Sequence, residues 1–482
     1  MSENAKIDKW QALREVAPDD VVASLRKIHD FFEPRRIIEW LAGIYDPETG
    51  AFYYSNSARD YEPFRPDVES TRQATELLVS AGGMASRNCL PSDIKEKIIA
   101  FVNNMQSPID GYFYHSQWPQ NKNELNVDRY GRDISSALGL IRDLNIDADG
   151  DGIEEQQYPL YCAPNGTKCA RHRNTDECCK FPLIPLERES APLEEQKTKS
   201  EPASIVKSGS HPDYSSPEAF SAWLEVFNAD IKEKSGNAHK LSAISGEIKN
   251  HGYFDIVLDQ LDRAQAEVYE EQLAAGEEPT GLWQKPINYN AVWGMLKFAS
   301  FYNDRDFGRR IDIKYIPHII RSFVKVIALP PDGNYYANGM FNQWLGIECL
   351  MSNAKRYYGD DGVNLIHSVV RENLSSLIDN SLEKIKYFRQ EDGSFSYRPD
   401  GHSLAYIYGS HISHGAVEGD MNAVALICRM YESIYRSTGY PIVNLFTEAD
   451  AAYFIELIRN KKPIVKLPAL TGDETKNQRK YI

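Results

Sequence analysis

Hydrophobic residues follow two rhythms along this chain of 482 residues. The segment 92–105 (SDIKEKIIAFVNNM) carries Ile94, Ile98, Val102 and Met105 on one stripe, with Lys95, Glu96 and Asn103 elsewhere. That is a helix wet on one side, with Ser92 as its expected N-cap. The segment 287–302 (INYNAVWGMLKFASFY) is apolar nearly all round, as a helix buried on both faces must be. Segments 135–144 and 421–430 behave alike. Outer, half-wet helices are expected near 34–44, 92–105, 216–229, 254–275, 314–328 and 363–388. Inner ones are expected near 67–80, 132–145, 237–249, 287–303, 338–357 and 416–437. The chain therefore reads as all-α, six outer–inner pairs closing a ring, with the inner-helix N-termini and their loops at one end.

Turns rich in Gly and aromatics separate the helices: 46–54 (DPETGAFYY), 110–114 (DGYFY), 280–284 (TGLWQ), 332–336 (DGNYY) and 392–397 (DGSFSY). The first two start 64 residues apart and the later three 52 and 60 apart, a spacing that marks a repeated unit stacking on its neighbours. The pair at 216–249 lacks such a turn, but Ser216, Pro217 and Glu218 still mark a helix start. The rhythm breaks over 146–215, read as an insertion whose last part, 187–216, is rich in Pro, Ser, Glu and Lys and expected to be a flexible connection. Segments 1–145 and 216–460 are then two parts of one ring, and 461–482 a C-terminal tail.

The segment 66–78 (PDVESTRQATELL) and the repeated turns carry a resemblance to the α/α-toroid superfamily, which includes terpenoid cyclases, protein prenyltransferase β-subunits and several polysaccharide lyases. The segment is similar to the DxDD(T) acid motif of class II terpene cyclases. Its central acid falls on Glu69, and Ser70 replaces the last acid, a departure that speaks against cyclase chemistry. The resemblance implies an (α/α)6 toroid.

Composition narrows the partners. A formal net charge of −15 repels nucleic acid and anionic membranes, so neither is expected as a partner. Residues 1–20 lack a secretory signal pattern, and no run of about 18 apolar residues exists. Together with the odd count of seven cysteines, this suggests a cytoplasmic location. Cys89, Cys349 and Cys428 are expected in the core. The 28 tyrosines suit a carbohydrate partner, because a ring face stacks on sugar while a hydroxyl bonds to it.

Candidate chemistry concentrates in 391–424, which holds His402, His411, His414, Tyr397, Tyr406, Tyr408, Glu418 and Asp420. Toroid lyases, by the resemblance, need a residue to neutralise a uronate carboxylate, a Tyr or His base, and often a Tyr acid. Tyr408 or His411 is the expected base, with His402, His414 and Tyr406 beside them. Other ring loops offer Asn288, Asn290, Tyr130, Arg132 and His239. Tyr54, Tyr114, Trp283, Tyr336 and Tyr397 of the repeated turns are expected to wall one hollow. Arg59, Arg65, Arg72, Arg129 and Arg132 could grip an anionic sugar. A second reading pairs Glu69 or Asp67 with Glu418, Asp420 or Asp133 as the two carboxylates of a glycoside hydrolase. A terpenoid-cyclase-like enzyme and a non-catalytic toroid that binds sugar or protein stay open beside these.

Two features of the insertion suggest metals. Asp147, Asp149 and Asp151 stand at alternate positions before Gly152 and Ile153, and Glu155 could close the loop, as in a structural Ca2+ site. Cys162, Cys169, His172, Cys178 and Cys179 lie within 18 residues and could hold zinc, although their spacing is irregular and disulfides are an equal alternative in an exported protein.

Overall fold

The computed structural model describes residues 8–147, 150–181, 183, 211–233, 237–304 and 310–469. In chain order the helices are α1 Lys9–Arg14, α2 Asp19–Phe32, α3 Pro34–Gly43, α4 Asn56–Asp60, α5 Val68–Ser80, α6 Ser92–Asn103, α7 Val127–Asp143, α8 Pro217–Phe227, α9 Ala238–Ala243, α10 Ser245–Asn250, α11 Phe254–Ala274, α12 Tyr289–Tyr302, α13 Ile316–Ile327, α14 Ala337–Arg371, α15 Leu374–Lys386, α16 Met421–Thr438 and α17 Glu448–Arg459. Two antiparallel ribbons accompany them: β1 Asn145–Ile146 pairs with β2 Glu155–Gln156, and β3 Tyr406–Ile407 with β4 Ser410–His411. The molecule is mostly helical, as its periodicity predicts.

Contacts between helices close a cycle. Helix α5 packs on α7, α7 on α9, α9 on α12, α12 on α14, α14 on α16, and α16 back on α5. A second layer lies against these: α6 on α7, α11 on α12, α13 on α14, with α15 on α13 and α2, and α17 on α3. Of the cycle members α12 is apolar nearly all round, whereas α5 and α7 also bury polar side chains such as Glu69, Thr71, Arg129 and Asp133. In α16, Met421, Val424, Ile427, Cys428, Tyr431 and Tyr435 are all buried, each large side chain contributing about 1.5–3 kcal/mol of burial.

The repeated turns fix where these helices begin. In the turn at 46–54, Phe52 bridges Asp67, while the Tyr54 carbonyl accepts the Met421 N–H at 2.8 Å. In the turn at 392–397, the Phe395 carbonyl accepts the Asp420 N–H at 2.9 Å and the Tyr397 carbonyl the Ala337 N–H at 2.9 Å. The turns thus gather the starts of α5, α14 and α16. Asp67, Asn126, Asn288 and Asp420 each cap the helix that follows with a side-chain oxygen, satisfying one of its free N–H groups.

Several boundaries differ from the sequence reading. Ser92 is the first helical residue, not the cap, and its hydroxyl donates to Glu154 at 2.7 Å. The inner helix expected from 132 begins at Val127, because Asn126 supplies an earlier cap. The one expected over 237–249 breaks into α9 and α10 at Ile244. Gly359, at φ 65 and ψ −148, breaks α14, so the inner helix near 338–357 continues without a loop into part of the outer one expected from 363. Helices α2 and α17 were not foreseen. Cys428 is buried, but Cys349 is only partly so and Cys89 is exposed. Residues 187–210 of the expected flexible connection lie outside the described residues. No helix among the described residues is long and apolar enough to cross a membrane.

Candidate functional site

The β3–β4 ribbon turns in two residues, Tyr408 and Gly409, both at positive φ (52° and 79°). Such a turn matches the twist of its flanking strands but normally takes Asn, Asp or Gly at both positions. A tyrosine there carries backbone strain of order ~1–3 kcal/mol, which the surrounding structure must impose. The tip is held by Trp118, whose indole N–H donates to the His411 carbonyl at 3.3 Å. It places the Tyr408 ring against two members of the helical cycle. The Arg132 guanidinium of α7 lies 4.9 Å from the ring centroid, and the His239 ring of α9 lies 6.1 Å away.

Beneath the tip is a buried ionic network. Glu69 of α5 accepts from Arg129 at 3.0 Å and from Arg132 Nε at 2.8 Å, and Arg132 Nη2 also contacts it. Arg129 in turn grips Asp133, its Nε at 3.1 Å from the carboxylate. Burial works to raise the Glu69 carboxyl, but the two guanidiniums outweigh it and hold Glu69 down at about 2. The guanidinium of Arg129 is fully buried and also faces the Trp118 ring at 4.7 Å. Tyr408 is raised by burial, against the pull of Arg132. Its hydroxyl has no hydrogen-bond partner among the described residues.

Beside Tyr408, His239 and Asp128 form a dyad. The imidazole Nε2 lies 3.0 Å from the Asp128 carboxylate, and Nδ1 is buried with no hydrogen bond. Trp293 of α12 flanks the imidazole at 5.1 Å between ring centroids. One turn further along α12, Lys297 has no hydrogen-bond or ion-pair partner among the described residues; burial, then repulsion from Arg132, pushes it down to about 8. Arg132, His239 and Lys297 line one cavity of about 430 Å³. A second, of about 530 Å³, is lined by Glu69, Gln73, Leu345 and Arg429. Arg72, Arg132, Ser136 and Arg142 border both, so the two flank one strip of α5 and α7 inside the cycle. A separate cavity of about 780 Å³, between the 46–53 turn, α6 and Lys466, touches none of the cycle helices.

The histidines of 391–424 do not meet at this point. His402 bonds to Asp400 at 3.1 Å on the surface. His411 is exposed; it stacks on Tyr406 at 4.7 Å and meets Phe64 edge-on at 4.8 Å. His414 is buried edge-on to Phe64 at 4.8 Å. Glu418 is fully occupied: it accepts from Ser55 at 2.8 Å, from the Ser57 N–H and hydroxyl at 2.7 and 2.6 Å, and from Ser403 at 2.9 Å. It ties two loops together. Asp420 caps α16 and is pushed up to about 8 by burial, with one carboxylate oxygen unbonded. Tyr54 and Tyr397 are buried close to it.

The aromatic turn residues do not wall one hollow. Trp283 donates to the Leu261 carbonyl at 2.8 Å and packs between α11 and α12. Tyr114 donates to Asp110 at 2.6 Å. Tyr130 sits among Tyr112 and His211. Tyr336 is exposed beside Tyr397, at 5.9 Å between rings. Asn288 is spent as a cap and Asn290 is exposed. Of the residues singled out from sequence, Tyr408, Arg129, Arg132, Asp133, His239 and Glu69 come together. Asp128, Trp118 and Lys297 join them unforeseen. Lys297 had a signal, since it is the one charged residue in the apolar run 287–302.

Two metal expectations part company. Asp147 accepts the N–H groups of Asp151 (3.1 Å) and Gly152 (2.8 Å), and Asp151 that of Ile153 (2.8 Å). Asp149 lies outside the described residues, and Glu155 is an exposed residue of β2. Nothing among the described residues supports Ca2+. Cys162, Cys169, His172 and Cys179, in contrast, bring their ligand atoms within 4.8 Å of one another and could bind a metal ion. Comparison with known proteins finds no matching family model, no matching curated protein and no matching solved structure.

Proposed function

We propose that the chain is an (α/α)6 toroid enzyme that cleaves uronic-acid-containing oligosaccharide or polysaccharide by β-elimination. The closed cycle of helices α5, α7, α9, α12, α14 and α16 supports the toroid. The observation that carries the chemistry is the approach of Tyr408 to His239 and Arg132, which line a cationic cavity together with Arg72, Arg142 and Lys297.

Elimination across a uronate linkage needs three things: neutralisation of the carboxylate, removal of the proton α to it, and protonation of the departing oxygen. Arg132 and Lys297 are suited to the first. His239 is suited to the second, because Nδ1 remains uncommitted while Nε2 lies 3.0 Å from the Asp128 carboxylate. Tyr408 is suited to the third, because burial keeps its phenol protonated and its hydroxyl is unbonded. The electron pair of the broken C–H bond forms the C=C bond as the glycosidic C–O bond breaks. His239 replaces His411 as the base in this reading.

Hydrolysis by paired carboxylates is less well supported, since Glu69 is clamped by two arginines and Glu418 by four donors. The cavity walls are also too charged for an isoprenoid. The test is to incubate the protein with a panel of polyuronate oligosaccharides and follow ultraviolet absorbance of the unsaturated product. Absorbance that grows with new reducing ends is expected. New reducing ends without it would point to hydrolysis and reject this reading.

A further inference from the structure

We propose that Cys162, Cys169, His172 and Cys179 form a structural zinc site that fastens the insertion against the ends of α6 and α10, independently of the reaction the protein performs. The distances are those a tetrahedral ion imposes. With Zn–S near 2.3 Å and Zn–N near 2.0–2.1 Å, ligand atoms at tetrahedral angles stand ~3.8 Å apart for sulfur pairs and ~3.5 Å for a sulfur and a nitrogen. The Sγ atoms of Cys162 and Cys169 are 3.7 Å apart, and those of Cys169 and Cys179 3.8 Å. His172 Nδ1 lies 3.7, 3.2 and 3.5 Å from the sulfurs of Cys162, Cys169 and Cys179. All four residues aim a ligand atom at one centre, which closes the coordination shell and marks the site as structural. The adjacent Cys178 is exposed and takes no part. Three thiolates and Zn2+ leave a net charge of −1, and Lys168, Arg171, Arg173 and Lys180 are close by in sequence to offset it.

The knuckle is gripped from two sides. Gln106, just beyond α6, donates to the Tyr161 carbonyl at 2.8 Å and accepts the Tyr161 N–H at 2.9 Å. Asn250, at the end of α10, donates to the Pro164 carbonyl at 3.0 Å. Between the first two ligands, Asn165 and Thr167 line the same cavity as Arg132, His239 and Lys297. The ion would therefore hold one wall of that cavity, because the loop 163–168 contains no helix or strand of its own.

The full chain, purified under reducing conditions with zinc supplied and excess removed by gel filtration, is to be assayed for metal by mass spectrometry. About one zinc per chain is expected. Cys169→Ser should lose most of it, and Cys178→Ser should keep it. Because Cys169→Ser could unfold the insertion, the wild type reconstituted with Co2+ gives a second reading: intense visible absorption of a tetrahedral thiolate site, bleached by added Zn2+. Wild-type protein that binds neither metal, equal zinc loss from Cys178→Ser, or a Cys162–Cys169 disulfide found by mass mapping after reducing purification would each overturn the proposal.

Discussion

The Arg132 guanidinium sits 4.9 Å from the centre of the Tyr408 ring while its other side binds Glu69. One arginine thus joins the hairpin tip to the ionic centre of the helical cycle. A cation over a tyrosine face is worth about 0.5–2 kcal/mol, more when desolvated. It fixes the ring's position without using its hydroxyl.

Removing that hydroxyl therefore separates chemistry from folding. Tyr408→Phe keeps the ring on Arg132, so thermal unfolding should move by less than about 0.5 kcal/mol in stability. Elimination should slow by about 10²–10⁴-fold if the phenol is the acid. Unfolding curves and initial rates on the same preparation check both halves.

Glu69→Gln tests the network from the other end. It leaves Arg129 and Arg132 short of a counter-charge in a buried setting. Loss of one partner of a buried ion pair costs about 3–5 kcal/mol. Denaturant titration near pH 7 should register a loss of that order. Below the ordinary carboxyl pKa the gap should shrink, since the folded pKa is depressed to about 2 and the stabilisation of wild type fades as pH falls from about 4.5 towards 2.

Asp420 has the opposite sign. Burial raises its folded pKa to about 8, so the folded state holds a proton that the unfolded state releases near pH 4. Its contribution is fully present at low pH and is lost as pH rises towards 8. Asp420→Asn keeps a capping oxygen with no proton to lose. The variant should be the more stable of the two at pH 9, by on the order of 2 kcal/mol, and the difference should vanish near pH 4. Unfolding midpoints at both pH values decide it.

Lys297→Met should raise KM for a uronate substrate about 10–100-fold, the worth of one charge-assisted hydrogen bond, with a smaller change in kcat. In wild type, KM should climb above pH 8 as the amine, already pushed down to about 8, gives up its proton. The Met variant should lack that climb. A KM profile over pH 6.5–9.5 for both proteins is the measurement.

Helices were legible because burial imposes a period that survives in the letters. A cap such as Ser216 was legible because a free N–H has few available acceptors. The site was legible only in part. His402, His411 and His414 are neighbours in sequence, but His411 lies on the exposed face of the ribbon, His402 and His414 lie outside it, and only its tip reaches the arginines. His239 and Lys297 are single polar residues on short or apolar helices, and no local pattern tells which of them face the same space. The metal ligands were hidden for a related reason: the fold of the loop, not the spacing of its cysteines, selects Cys179 over Cys178.

Tyr408 is one of only two residues in its turn, so its aim carries no slack. Side chains alternate across a ribbon, and lengthening this one by a single residue would swing the phenol to the far side of the backbone while leaving every helix in place. The reach of the phenol is therefore set by the length of this ribbon, not by its exposed strand residues Tyr406 and His411.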